Sequence, residues 1–405
     1  MKIGLLTYHC PPNFGAQLQA ISMVGYLQKI GHEVIVLNWY PVDLDAFYKK
    51  RVPLIQIKCH EEFTKKYLPI TKLIRTENEL IDEVNSLELN AVLIGSDALF
   101  KYAPKKKRYS FLFKKKQILS CLEMDGNPFF GEFISKIKKS IPMCAFSVSS
   151  QNTPFELMDE NERKYMEKCF DGFDFITVRD EWTKKMVENI SSKHRSIIIT
   201  PDPVFSFNQN SYLKALTKEE ICKRYALPDN YVLVSFTNKF ADIAYKEEIV
   251  KELKRHNLSP IALPMPEGLQ PIAGVDKEIS LPLNPLEWYS LIINSKGYIG
   301  ERMHPIVVCL HNAIPFYSFD YYGIHYRNIL LQKKCIESSS KTFLIVKEAG
   351  FLDNLFTYYG NRAMPSAKEV VENLCCFEVP LCQKFSILKQ EQFKHYLDIV
   401  LSHFI

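Results

Sequence analysis

Apolar residues come along this chain in two alternating rhythms. Residues 2-KIGLL-6 form a short continuous apolar run. The stretch 15-GAQLQAISMVGYLQKIG-31 then spaces apolar positions at helical intervals, and 33-EVIVLN-38 is a second short run. Strand, helix and strand in such close succession make a βαβ unit, which requires a parallel sheet. Further short runs at 91-AVLIG-95, 143-MCAFSV-148, 173-FDFITV-178 and 196-SIIIT-200 predict more strands. Helical spacing near 159–170 and 180–190 separates the later ones.

Residues 206–230 are polar and turn-rich and interrupt the rhythm. A second alternating series follows, with strands at 231–236, 259–263, 297–301 and 314–319 and helices at 244–256, 285–294 and 304–313. The pattern predicts two doubly wound α/β domains with a cleft between them. Their expected limits are 1–205 and 231–365, joined by a linker at 206–230. Residues 366–405 are expected to form C-terminal helices, the last near 386–403 packing back on the first domain. No internal repeat or long low-complexity tract stands out.

One segment departs from the globular pattern. Residues 101-KYAPKKKRYSFLFKKKQ-117 carry eight Lys and Arg, interleaved with Tyr102, Tyr109, Phe111, Leu112 and Phe113. A charge run is most simply a solvated face. The aromatic interleaving equally suits contact with an anionic lipid surface.

Composition narrows the function classes. With 405 residues, 47% of them hydrophobic, the chain can bury a large core and divide into domains. Lys and Arg number 51 against 46 Asp and Glu, a net charge of +5, which is not the clustered excess of a dedicated nucleic-acid binder. The 11 cysteines are scattered and include no CxxC pair, so reduced thiols in a cytoplasmic protein are expected. The cluster 375-CCFEVPLC-382 lacks zinc spacing and a nearby histidine, and no metal is expected. The N-terminal apolar run is too short for a signal peptide and is broken by Pro11-Pro12. No stretch reaches the roughly 18 apolar residues that span a bilayer. A soluble or at most peripheral protein follows as the expectation.

Candidate chemistry sits where predicted strands end. Arg302 and His304 lie between the strand 297–301 and the next helix, the position at which open α/β sheets keep their ligands. Arg offers a fixed fork of donors to carboxylate or phosphate, and His transfers protons near neutral pH. A carbonyl-capping Arg and a packed His would look the same in sequence. In 176-ITVRDEWT-183, Arg179 occupies a strand terminus, while Asp180 and Glu181 are ordinary helix-start residues. In 91-AVLIGSDALF-100, Gly95 and Ser96 form a turn that exposes amides, and Asp97 can accept a hydroxyl proton or simply cap a helix. The first loop holds Asn13 and Gly15 just before a helix, suited to a small polar ligand. It contains neither a dinucleotide fingerprint nor a Walker loop.

The ordered set of these landmarks resembles the polysaccharide pyruvyl transferase family. It comprises residues 2–34, 92-VLIGSD-97, 176-ITVRDEWT-183, 200-TPDPVF-205 and 285–323, the last containing 300-GERMHP-305. The resemblance implies a GT-B-like α/β fold, two facing Rossmann-like doubly wound domains with an interdomain cleft. It implies phosphoenolpyruvate as donor, with no further cofactor, and a cyclic pyruvate ketal on two hydroxyls of one sugar as product. Arg179, Arg302 and His304 match the family's donor-binding and Arg-x-His positions, with His304 the acid or base and Met303 between them. Glu301 and Asp97 are the remaining catalytic candidates, and Asn13, Gly15, Gly95 and Ser96 the remaining substrate-binding ones. The resemblance also implies a saccharide acceptor for capsule or exopolysaccharide assembly. Such acceptors are often lipid-linked, and the 101–117 segment would suit their pyrophosphate or a membrane surface. Two other readings stay open from sequence: a glycosyltransferase of the same fold using a nucleotide sugar, and a non-catalytic saccharide-binding relative.

Overall fold

The computed structural model describes residues 1–105, 123–194, 196–209, 213–237, 242–321, 323–327, 333–336, 339–358 and 363–404. Two compact units emerge, Met1–Lys50 with Glu61–Tyr212 and Gln390–Ile405, and Arg51–His60 with Leu213–Lys389.

The first unit begins with β1 (Lys2–Leu6), α1 (Phe14–Lys29), β2 (Glu33–Val36), α2 (Val42–Lys49), α3 (Leu54–Tyr67) and α4 (Glu77–Ser86). Of α3, only the part from Glu61 on belongs to it. It continues through β3 (Ala91–Ile94), β4 (Met143–Val148), α5 (Glu160–Asp171), β5 (Phe175–Val178), α6 (Glu181–Ile190) and β6 (Ile198–Ile199). The six strands are all parallel, in the order β2-β1-β3-β4-β5-β6. Strands β3 and β4 are buried at every residue, as covering helices on both faces require. Helix α1 is likewise buried from Phe14 to Leu27, which explains why its apolar pattern runs nearly all round. Capping boxes at Thr76/Glu79 and Asp159/Glu162 start α4 and α5 by satisfying amides that lack intrahelical acceptors.

The second unit contains α7 (Lys218–Tyr225), β7 (Tyr231–Ser235), α8 (Ile243–Arg255), β8 (Ser259–Ala262), β9 (Lys277–Glu278), α9 (Pro285–Ile293) and β10 (Tyr298–Gly300). Then come α10 (Met303–Asn312), β11 (Phe316–Asp320), β12 (Ile324–Arg327), β13 (Lys333–Ile336), α11 (Lys341–Glu348), β14 (Leu355–Thr357), α12 (Ala367–Cys375) and α13 (Val379–Ser402). Its sheet is parallel, in the order β14-β11-β10-β7-β8-β9, and β12 and β13 form a separate antiparallel hairpin. Val232, Val234, Ile299 and Phe319 from the sheet pack with Ile249 and Leu253 of α8 and Val370, Val371 and Leu374 of α12. The start of α3 is tied in by Gln56, whose side-chain amide donates to Leu283 O at 2.7 Å and accepts from Leu283 N at 2.8 Å.

Several boundaries differ from the sequence pattern. The turn-rich stretch 206–230 contains the helix α7. The long C-terminal helix starts at Val379, ahead of the expected 386, and Cys382 and Phe385 in its added first turns are buried. Its last part lies with the first unit, where the Phe393 ring packs edge-on against Tyr26 at 5.1 Å and Phe146 at 5.5 Å. In the basic segment 101–117, Tyr102 is buried and donates to Asp125 at 2.6 Å, and Lys101 pairs with Glu123. From residue 106 onward that segment lies outside the described residues. Among the described residues, no helix is long and apolar enough to cross a membrane.

Each sheet has one place where strand order reverses, β1/β3 in the first unit and β7/β10 in the second. Ligand sites of open α/β sheets form outside the carboxyl ends of strands at such points. Gly95, Ser96 and Asp97 follow β3 and Glu301, Arg302 and His304 follow β10, at these reversals, whereas Arg179 follows β5, two strands away from the first one.

Candidate functional site

In the first unit the chain leaves β3 through Gly95, Ser96 and Asp97. Gly95 has φ +140°, and a Cβ there would stand 2.0 Å from Phe146 O, so only glycine fits. Ser96 donates its hydroxyl to Ser147 O at 2.6 Å, and Thr7 Oγ1 donates to Ser96 O at 3.1 Å. Asp97, at φ +114°, accepts from Ser149 N through its carbonyl at 2.8 Å, which ties the β3 and β4 ends together. Asn13 caps α1 by accepting from Ala16 N at 3.2 Å, and Gly15 is buried in the first turn.

The neighbouring strand ends bring up an ionic cluster. Arg179 follows β5, and its amide donates to Val148 O at 2.8 Å. Its side chain is only 3% exposed. Nη1 donates to Asp202 Oδ2 at 2.8 Å and Nη2 to Asp97 Oδ1 at 3.4 Å. These carboxylates hold the guanidinium pKa above its ordinary value against the opposing effect of burial. Asp202 is fully enclosed, and its carboxylate also accepts from Gln19 Nε2 and from Val204 N at 3.0 Å. Asp180 is a helix cap, accepting from Thr183 N at 2.8 Å and from Ser149 Oγ at 2.6 Å. The guanidinium expected to grip a donor anion is thus flanked by two carboxylates of its own unit.

In the second unit β10 ends at Gly300, where a Cβ would meet Tyr298 Oη at 2.2 Å and Ser235 O at 2.6 Å. Glu301, Arg302, Met303 and His304 follow directly. Arg302 occupies the N-cap position of α10 with extended backbone, and Met303 and His304 form the first helical residues. A helix start leaves its first amides pointing outward without intrahelical acceptors, which favours an anion. The Arg302 side chain is 41% exposed and lies 3.7 Å from Glu267. Met303 is buried, and His304 is half-buried.

Glu301 differs from its neighbours in being enclosed, at 1% exposure. Its Oε2 accepts from Thr237 N at 3.1 Å and from Thr237 Oγ1, while Oε1 has no hydrogen-bond partner among the described residues. Burial pushes the carboxyl pKa up to about 7, against the lowering effect of the Thr237 hydrogen bonds and of Lys246 and Arg302. Lys246 of α8 donates to Thr237 O at 3.0 Å, and burial lowers its ammonium pKa. The β7/β10 reversal therefore gathers a near-neutral acid, a buried amine, an accessible arginine and a histidine.

Reading the sequence alone missed Asp202, Gln19, Thr237 and Lys246. Asp202 lies in the landmark 200-TPDPVF-205, so an acidic residue just after a strand was the available signal. Lys246 is indistinguishable in sequence from the other lysines of α8. Among the described residues, no group of three or more His, Cys, Asp or Glu could hold a metal ion.

Solved structures of similar fold are a UGT transferase from Siraitia grosvenorii in complex with UDP and two UDP-GlcNAc 2-epimerases. The first matches at 11% identity and a TM-score of 0.52, covering 100% of this chain and 99% of its own. The epimerase from Neisseria meningitidis, bound to UDP-GlcNAc, matches at 11% identity and a TM-score of 0.56, covering 99% and 100%. The Methanocaldococcus jannaschii epimerase matches at 11% identity and a TM-score of 0.54, covering 96% and 98%. At such identities the likeness is one of fold, and the fold is GT-B-like. No curated protein sequence matches the chain. The family model for polysaccharide pyruvyl transferase matches residues 13–322, which takes in both strand-end clusters. The chain belongs to the polysaccharide pyruvyl transferase family.

Proposed function

We propose that this protein transfers pyruvate from phosphoenolpyruvate to two hydroxyls of one sugar, forming a cyclic ketal. The observation that carries the donor assignment is the start of α10, where a partly exposed Arg302 stands at the N-cap with His304 in the first turn. Phosphoenolpyruvate is small and strongly anionic. The Arg302 fork pairs with its carboxylate or phosphate, and the outward amides of the helix start add to that attraction.

The overall change fixes the proton traffic. One hydroxyl proton ends on the donor's methylene carbon, which becomes a methyl group. The other leaves with the phosphate as hydrogen phosphate. Both sugar oxygens become bonded to C2, and the C2–O–phosphate bond breaks. Protonation of the methylene makes C2 electrophilic, and His304 is the group assigned to that transfer. Glu301, enclosed three residues before it and with its pKa pushed up to about 7 by burial, is a second acid within the same strand-to-helix junction.

The acceptor is proposed to be a lipid-linked saccharide of capsule or exopolysaccharide assembly, met at the inner face of the cell membrane. Support comes from the family and from the eight cations and interleaved aromatics of residues 101–117. Incubation with phosphoenolpyruvate and lipid-linked saccharides, followed by mass spectrometry for added pyruvate, tests the reading. Thermal stabilisation by a nucleotide sugar and none by phosphoenolpyruvate would turn it toward glycosyl transfer.

A further inference from the structure

Glu301 and Arg302 are consecutive in the chain and opposite in environment. Glu301 is enclosed just past β10, whereas the Arg302 side chain at the N-cap of α10 is partly open to solvent. Among the described residues, Oε2 of Glu301 accepts from both the amide and the hydroxyl of Thr237, and Oε1 accepts from nothing. A buried carboxylate with one bare oxygen has lost hydration that no donor replaces, so a proton on that oxygen is the cheaper state. Two cations oppose this. Lys246 of α8 is enclosed, donates to Thr237 O at 3.0 Å and favours the ionised form of Glu301, as Arg302 does. Burial outweighs both and pushes the carboxyl pKa up to about 7. Tyr298 of β10 and Tyr358 after β14 also face Glu301, and burial raises both phenols away from the neutral range. Asp242, the N-cap of α8, faces Lys246, and Glu267 lies 3.7 Å from Arg302 on its exposed side. His304, in the first turn of α10, is the other side chain of the junction whose type changes charge near neutral pH.

We propose that Glu301 controls donor affinity through its charge, neutral when phosphoenolpyruvate lies on Arg302 and competing with the donor for that arginine when ionised. This rests on the donor assignment made above and adds the pH control of the same site. An anion arriving beside an ionised Glu301 places like charges around one guanidinium, which favours the neutral carboxyl. Binding therefore draws a proton from solvent onto Glu301, and no covalent bond changes. The sign follows from linkage. Below about pH 7 the carboxyl already holds its proton, and affinity does not depend on it. Above that, each donor bound takes up as much as one proton, and affinity falls by up to about tenfold per pH unit. Glu301 acts through Arg302 and is a positioning residue. Lys246, as its buried counter-charge, sets the pH at which the fall begins.

The test is calorimetric titration of the full chain with phosphoenolpyruvate from about pH 6 to about pH 8.5, in buffers of two ionisation enthalpies so that proton uptake is counted. Wild type, Glu301→Gln and Lys246→Met are compared. The ratio of wild-type to Glu301→Gln dissociation constants should rise by more than about fivefold across that range. Taking the ratio cancels the titration of the ligand's own phosphate and of His304, which both proteins share. At the upper pH, wild type should take up more protons on binding than Glu301→Gln. Lys246→Met removes a cation that favours the ionised carboxyl, so its affinity should begin to fall at a higher pH than that of wild type. A packing defect weakens binding alike at every pH and produces neither displacement. A rise in the ratio below about fivefold, equal proton uptake, or an onset unmoved or lowered in Lys246→Met overturns the proposal while leaving the donor assignment in place. Failure of wild type to bind phosphoenolpyruvate at any pH overturns the donor assignment and this inference with it.

Discussion

Arg179 Nη1 and Asp202 Oδ2 meet at 2.8 Å where neither side chain has appreciable contact with solvent. A pair like this is weak evidence of net stabilisation, because desolvating both charges offsets much of their attraction. Its disruption is another matter, since one charge is then left enclosed without its partner. Asp202→Ala is expected to destabilise the first unit by about 3–5 kcal/mol. Urea unfolding of the variant against wild type measures this, and a loss below about 1 kcal/mol contradicts it.

Glu301 makes stability depend on pH with a definite sign. Its folded-state pKa of about 7 exceeds the ordinary 4.5, so the folded protein binds the proton more tightly than the unfolded chain. The stabilisation is fully present below about pH 4.5 and is lost as pH rises through 7, about 3 kcal/mol in all at order-of-magnitude precision. Glu301→Gln removes this dependence. Wild type and variant should unfold at similar temperatures near about pH 5, and the variant at the higher temperature near about pH 8.5. A difference between their melting temperatures that does not grow with pH rejects the assignment.

Arg302→Ala and His304→Ala should fail differently. Arg302 is assigned to the donor anion, so its loss chiefly weakens phosphoenolpyruvate saturation and the associated thermal shift. His304 is assigned to proton transfer, worth roughly a hundred- to ten-thousand-fold in rate. Its loss should depress kcat while calorimetric donor binding is largely kept. Near-normal turnover of His304→Ala would move the role to Glu301.

Gly95→Ala should be poorly tolerated. The added Cβ meets a backbone oxygen at 2.0 Å in a φ +140° conformation, and neither can relax without displacing β4. A loss of about 1–3 kcal/mol or more is expected, with soluble yield and melting temperature as readouts. A melting temperature equal to wild type contradicts the close approach.

Replacing the lysines of 105-KKKR-108 and 114-KKK-116 by Gln tests the proposed membrane contact. Each cation near an anionic surface is worth about 1 kcal/mol, so binding to phosphatidylserine vesicles should fall by several orders of magnitude in affinity. Turnover of lipid-linked acceptor should fall with it, and turnover of a short water-soluble saccharide should change little. Unaltered vesicle binding returns the segment to an ordinary solvated face.

The alternating rhythms placed the six strands of the first sheet and four of the six in the second to within about two residues, because a parallel sheet covered on both faces demands continuous apolar runs. The strands at 143–148, 231–235 and 259–262 are cases where composition and tertiary burial demand the same thing. Short, weakly patterned elements such as α2, α4 and β14 were not legible, since their place depends on partners distant in sequence.

For the site, the sequence alone determined the residue types at strand ends. Gly95, Asp97, Arg179, Glu301, Arg302 and His304 could be named because βα junctions concentrate ligand chemistry. It could not determine the state of those groups. Arg179 and Arg302 look alike as strand-end arginines, yet one is enclosed between Asp97 and Asp202 and the other is partly open to solvent. Glu301 reads as an ordinary carboxylate until burial and Thr237 set its titration near 7. Charge pairing and desolvation act through space over a few ångströms, between residues as far apart in sequence as Gln19 and Asp202. Only the tertiary structure decides which charges meet and which are removed from water.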